Sequence, residues 1–154
     1  MKKRIWIIII IIILIGAVVI FSTKEKNVTI DINKLSDDIM QNIKFEDEMN
    51  KVDKKTTEKL YTINNAINQV VYMSSGATAE EIAIFEFENK EECKEAMENA
   101  NKRIEEQKES FKDYMPKEMK KLEESIISTK DKYLMIFVTD NQNGVQKILN
   151  KYIK

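Results

Sequence analysis

Residues 5–21 of this chain, IWIIIIIIILIGAVVIF, hold no charged or strongly polar side chain. At a rise of about 1.5 Å per residue the run reaches roughly 26 Å, close to a hydrocarbon core of about 30 Å, and Ser22 and Thr23 can extend it. Isoleucine is a modest helix former in water, but lipid offers the backbone no outside partner, so a helix is the only single-segment solution. Lys2, Lys3 and Arg4 precede the run. The positive-inside rule then keeps the short N-terminus in the cytoplasm and sends the rest of the chain outside, with Trp6 at the inner interface. A cleaved signal peptide shares the charged start but requires a shorter apolar centre and small residues at the cleavage site. Here the run closes on Val18-Val19-Ile20-Phe21, and the only cysteine, Cys93, lies too far along to take a lipid at its end. The expected organisation is a cytoplasmic stub and transmembrane anchor over 1–23, a linker over 24–27, and one extracytoplasmic domain over 28–154. The expected location is the cell membrane, single-pass. Counted from Ser22, the connection STKEKN spans at most about 20 Å and confines the domain to the bilayer surface.

Beyond the anchor, 22 basic residues face 26 acidic ones, a formal charge of −4. That balance supplies no basic patch for phosphates, so nucleic acid is not an expected partner. A lone cysteine cannot close an internal disulfide, so hydrophobic burial must stabilise the fold. Cys93 itself falls on the apolar stripe of a predicted helix and reads as a small buried hydrophobe. The chain has no histidine, which removes imidazole bases and histidine metal sites. No metal or cofactor is expected.

The remaining pattern predicts an α+β domain: an antiparallel sheet of about four or five strands, built from two hairpins and covered by helices mainly on one face. Val28–Ile32 alternates as a short strand. The following segment puts Leu35, Ile39, Met40 and Ile43 on one helical face, with Asn33 or Ser36 as cap. Residues 45–65 are the least legible, a charge cluster with a short helix around Thr56–Tyr61; the charges read as a solvated surface. Gln69–Ser74 and Glu81–Glu88 form the first hairpin, turning on Ser75-Gly76-Ala77-Thr78. In the second strand Ala83, Phe85 and Phe87 face one way and Glu86 and Glu88 the other. Asn89 to Glu92 has the form of a capping box. It opens a long helix to about Asp113 with Cys93, Met97, Ala100, Ile104 and Phe111 on its stripe. Pro116, the only proline, ends that helix and enters the first turn of the next, whose apolar side is Met119, Leu122 and Ile126. SIISTKDKYLMIFVTD reads as the second hairpin, turning near Asp131-Lys132, and Asn141–Tyr152 as a final amphipathic helix.

Chemistry concentrates at SSGATAEE. Ser74 or Ser75 as a nucleophile would need a lysine or carboxylate base, and the surroundings lack the second glycine of a nucleophile elbow; the turn explanation prevails, and no catalytic residue is assigned. Glu80 and Glu81 could act as a carboxylate pair, but neighbours on a strand point to opposite faces. Arg103, on the long helix, is the expected partner of Glu81 in a structural ion pair. Tyr114 is expected to bury its ring beside the Pro116 bend while its hydroxyl seeks a partner. The candidate binding surface is a groove between the 75–78 loop and the end of the long helix, drawing on Ser75, Gly76, Thr78, Glu80, Glu81, Arg103, Gln107 and Tyr114.

The stretch SSGATAEEIAIFEF, followed by Arg103, Gln107, Ser110, Phe111, Tyr114, Pro116 and Glu118 in an R-x3-Q-x2-S-F-x2-Y-x-P-x-E pattern and by the Tyr133 strand, resembles the membrane-anchored or lipid-anchored proteins of low-GC Gram-positive bacteria grouped as domain of unknown function 4358. The resemblance covers roughly Val28 to Ile153. It implies an extracytoplasmic domain on a single anchor and carries no assigned activity. Similar proteins turn the second hairpin on a glycine, where this chain has Lys130-Asp131-Lys132, and many look like lipoproteins, where this chain has an apolar helix. The functional expectation is a membrane-tethered binding or protein-interaction module of the cell envelope, touching the bilayer through Ile5 to Phe21 and taking an envelope protein or a small ligand as partner. The competing expectation is an envelope hydrolase using Ser75 or the Glu80/Glu81 pair. A structural subunit packing through its anchor is a third, though Gly16 and Ala17 are adjacent and make no small-xxx-small face.

Overall fold

The computed structural model describes residues 28–153. The expected anchor, its stub and its linker lie outside the described residues, among which no helix is long and apolar enough to cross a membrane. The elements run α1 (Ile32–Asn42), β1 (Asn50–Lys51), α2 (Lys54–Tyr61), β2 (Asn68–Met73), β3 (Glu81–Glu86), α3 (Lys90–Tyr114), a 3-10 turn (Pro116–Glu118), α4 (Met119–Glu123), β4 (Ile126–Lys130), β5 (Tyr133–Val138) and α5 (Gln142–Tyr152). The five strands form one antiparallel sheet in the order β1-β2-β3-β5-β4. The α+β class, both hairpins, the long helix and the final helix stand as the sequence predicts.

The helices do not gather on one face, and this corrects the expected layering. Along the central strands Val71, Ala83, Phe85, Leu134 and Ile136 face a core closed by Tyr61 of α2, by Cys93, Ala96, Ala100 and Ile104 of α3, and by Leu122 of α4. Val70, Ile82, Ile84, Met135 and Phe137 face a second core closed by Leu35 and Ile39 of α1 and by Val145, Ile148 and Leu149 of α5. Both rows are apolar, so each must be removed from water, at roughly 1.5–3 kcal/mol for each large aliphatic or aromatic side chain fully buried. β5, apolar at every position and buried throughout, is the consequence. Polar Glu86 and Glu88 end the alternation only at the far end of β3, where they are half-buried and exposed.

Other expectations shift for local reasons. Val28–Ile32 is not a strand: the Asp31 carboxylate accepts the Lys34 N–H at 3.0 Å and starts α1 at Ile32, in place of Asn33 or Ser36. Ile30 and Ile32 are buried all the same, so the alternation reported burial without reporting conformation. The segment 45–65 contributes an edge strand, β1, that its composition does not announce, and α2 starts at Lys54, earlier than Thr56, on an Asp53 cap. On α3 the buried position is Ala96, while Met97 is 37% exposed. Ile126 opens β4 and does not belong to the helix after Pro116. Asn89 caps α3 as expected, accepting the Glu92 N–H at 2.9 Å, and its side-chain amide donates to the Glu92 carboxylate. Gly76 adopts φ +93° in the first hairpin loop. The second hairpin has no glycine at its turn and places Asp131 at φ 52°, a left-handed conformation that aspartate tolerates better than most side chains.

The two ends of the sheet differ. Val28 and Thr29, where the described chain begins, line a cavity with Glu88, Asn89, Lys90 and the Asp131-Lys132 turn. From this end α3 runs about 37 Å, at 1.5 Å per residue over its length, toward the opposite end, where the 74–80 loop, the Pro116 turn and α4 meet.

Candidate functional site

Glu80 and Glu81 sit at the start of β3 in this far end, and, as neighbours in an extended chain must, they enter opposite layers. Both are buried, at 2% and 0% exposure.

On the α3 side, the Glu81 carboxylate is fully satisfied. Arg103 donates through Nε to Oε1 at 3.1 Å and through Nη2 to Oε2 at 2.7 Å. Gln107 Nε2 donates to Oε2 at 3.0 Å, and the Tyr61 hydroxyl donates to Oε1. The guanidinium also lies 4.9 Å from the centroid of the Tyr61 ring, and Tyr61 meets Phe85 edge-on at 5.0 Å. A fork of parallel donors onto one carboxylate is the strongest form of such a pair, and it fixes α2, α3 and β3 in one register. The helical spacing of Arg103 and Gln107 lets both reach the same carboxylate. This ion pair was expected; Tyr61 was not.

On the other side, the Glu80 carboxylate accepts the backbone N–H groups of Glu46 at 2.9 Å and Asp47 at 3.1 Å, and the Thr78 hydroxyl at 3.1 Å. Lys121 of α4, itself 2% exposed, lies 3.9 Å from it. The Lys121 amine also reaches Glu118 and Glu46, each at 3.1 Å, and Asp140 at 3.6 Å. Glu118 in turn accepts the Ala79 N–H at 2.9 Å. Lys121 therefore stands where four carboxylates converge, two of them buried and two, Glu46 and Asp140, about half exposed, while the exposed Lys117 reaches Glu118 from outside at 3.9 Å. Burial pulls the Lys121 amine toward lower pKa, but the hydrogen bonds it donates to Glu118 and Glu46 outweigh that pull and hold the amine above its ordinary value.

The loop between the hairpin strands closes on itself and on the 44–49 segment. The Ser74 hydroxyl donates to Thr78 O at 2.6 Å. The Ser75 N–H and hydroxyl both donate to the Asp47 carboxylate, which these bonds hold below its ordinary pKa. Asp47 is thus the base within reach of Ser75, and a carboxylate depressed in this way is a weak proton acceptor at neutral pH. Ser75, Gly76 and Ala77 are exposed; Thr78 is buried.

Of the residues expected to form a surface, the structure brings Thr78 and Glu80 into one buried network and Glu81, Arg103 and Gln107 into another, and leaves Ser75 and Gly76 at the rim. Tyr114 corrects the expectation. Tyr114 is 75% exposed, at the end of a helix none of whose residues after Ile104 is fully buried. Glu46, Asp47 and Lys121 were missed. Lys121 carries a signal in the sequence only in retrospect: it lies one helical turn after Glu118, the spacing of an i, i+3 pair. Cys93 is buried and its thiol is pushed up to about 11 by that burial. No three Asp, Glu or Cys side chains among the described residues are set to hold a metal ion.

An antiparallel sheet between two helical layers, pinned at one end by buried ionic networks, is the class of domain that this geometry defines. The family model described as domain of unknown function (DUF4358) matches residues 41–139, and the chain belongs to that family. The match takes in the loop, β3, α3, Glu118 and Lys121, that is, nearly every residue of both networks. Comparison with curated proteins and with solved structures returns no match.

Proposed function

We propose that this protein is a membrane-tethered, extracytoplasmic binding or protein-interaction module of the bacterial cell envelope, with its partner surface at the end formed by the 75–78 loop, the 44–49 segment and the tip of α3. The tether is the apolar run Ile5 to Phe21, oriented by Lys2, Lys3 and Arg4. The observation that carries the reading is Tyr114. A large amphipathic ring stands exposed at the last residue of α3, four residues before Glu118, whose carboxylate holds the Ala79 N–H at the end of the hairpin loop, and about one α3 length from where α3 begins. Rigid, exposed aromatics on a preformed surface are what interfaces use as anchors, since they add contact area at little entropic cost. The buried carboxylates serve as fasteners for that surface, because every oxygen of Glu81 is already taken by the chain's own donors.

A photo-crosslinking amino acid at Tyr114, in membranes of the living host, tests this. Discrete adducts at Tyr114 that are missing at Glu95, an exposed position nearer the start of α3, are the expected result. Equal adducts at both positions, or none at either, contradict it.

A further inference from the structure

Of the three glycines in the chain, only Gly144 follows an asparagine. In a sequence, Asn-Gly ordinarily marks a tight hairpin turn, because both residues tolerate the positive φ that such turns need. Here the pair lies inside the first turn of α5, between the cap Asn141 and the buried Val145. Packing explains the glycine. A Cβ at position 144 would stand 2.7 Å from the side-chain oxygen and nitrogen of Asn141, and 2.7 Å from Cδ1 of Ile43 just past the end of α1. A larger residue would therefore push aside the cap or the neighbour that α5 packs against. Asn143 meets no such demand. It is exposed, and no group among the described residues holds its side-chain amide.

Asn-Gly is also the dipeptide in which asparagine is most labile, since glycine has no side chain to screen the nitrogen that follows. Once that nitrogen gives its proton to solvent, it can attack Asn143 Cγ. The bond from Cγ to the side-chain nitrogen then breaks, and this nitrogen takes a proton back and leaves as ammonia. Water opens the resulting five-membered succinimide, at one carbonyl to aspartate and at the other to isoaspartate. No oxidant or cofactor enters the balance. Ring closure does require Asn143 to turn its ψ away from the helical value and the Gly144 N–H to be free. The fold opposes both. Gly144 N–H donates to Asn141 Oδ1 at 3.0 Å, and Val145 N–H donates to the Asn141 carbonyl at 3.1 Å, closing the helical turn around Asn143.

We propose that Asn143 is a site of spontaneous covalent modification that the Asn141 cap keeps shut, so that its conversion records how often the first turn of α5 opens. Isoaspartate inserts one extra backbone carbon between Asn141 and Val145. The cap and the first helical hydrogen bond then lose their register, and α5 loosens where Val145, Ile148 and Leu149 close the second core. The site lies apart from the Tyr114 end and does not depend on what the protein binds.

The test incubates the full chain in detergent at mildly alkaline pH and follows residue 143 by peptide mass mapping, with isoaspartate resolved by chromatography. The folded chain is expected to convert far more slowly than the same chain in urea. Asn141→Ala is expected to convert about fivefold faster than the unaltered protein when both are folded, which is the usual worth of such a cap expressed as a rate. Asn141→Ser, which restores a capping oxygen, should return to the slow rate, and all three should agree in urea. Chains carrying isoaspartate, once separated, should exchange amide hydrogens faster at residues 144–149. A folded chain that converts as fast as the unfolded one, equal rates for Asn141→Ala and the unaltered protein, or unchanged exchange in the isoaspartyl chains overturns the proposal.

Discussion

Glu80 and Glu81 are adjacent in sequence and equally buried, yet they are held in opposite ways. Glu81 meets one permanent cation and two neutral donors, so its charge is matched inside the protein. Glu80 relies on backbone N–H groups and on a lysine shared with Glu118, Glu46 and Asp140. The first arrangement joins helices to the sheet. The second fastens a loop, and it opens to solvent through Glu46 and Asp140. The difference separates a rigid pin from an adjustable latch, placed back to back under the same surface.

Removing one partner of the pin has the largest expected effect. Arg103→Met strands the Glu81 charge and should cost about 3–5 kcal/mol of stability in denaturant titration, whereas Arg103→Met combined with Glu81→Met should recover most of that loss. Equal losses in the single and double variants would mean that packing, and not charge, is what the pair supplies. On the latch side, Glu80→Gln keeps the shape but removes the charged acceptor, with an expected cost of about 1–3 kcal/mol. Its signature is faster hydrogen exchange at Glu46 and Asp47 while the β3–β5 ladder stays protected.

Alkali should separate the two further. Lys121 has its pKa raised in the folded protein, so its contribution is fully present below the unfolded value of 10.5 and is lost as pH rises through the higher folded value. The Glu81 pin contains no lysine. Amide exchange followed above pH 10.5 should therefore show the 44–49 segment loosening before α3 leaves the sheet; simultaneous release would erase the distinction. Smallest of all is Ser75→Ala, which removes the hydroxyl, the largest of the bonds that depress the Asp47 pKa, and leaves the backbone N–H groups of residue 75 and Glu48 on the carboxylate. The difference is fully present above pH 3.8, where the variant's loop exchanges faster, and it disappears as pH falls through the lower folded value of Asp47.

Much of this molecule is legible in its sequence. Alternation and turn chemistry locate both hairpins, the Asn89 cap and Pro116 bracket α3, and the spacing of Arg103 on that helix points to Glu81. What stays hidden depends on contacts distant in sequence. Ile30 and Ile32 alternate like a strand because they pack beneath the sheet, while the Asp31 cap turns the chain into a helix. The second face of the sheet reads as solvent-facing from Glu86 and Glu88 alone, although Ile82 and Ile84 at the same pleat are buried by α1 and α5. Lys121 looks like one more surface lysine until β3 and the 44–49 segment bring their acidic groups to it. Tyr114 looks like a core residue because local pattern does not say where along a helix the burial stops.

Cys93 makes the central claim directly measurable. Buried and with its pKa pushed up to about 11, it should stay silent toward a membrane-impermeant maleimide, so a single exposed cysteine introduced as Ala77→Cys reports alone. In intact host cells the account predicts labelling of Ala77→Cys without permeabilisation, on a chain that sediments with membranes. Labelling that appears only after the cells are opened would contradict it.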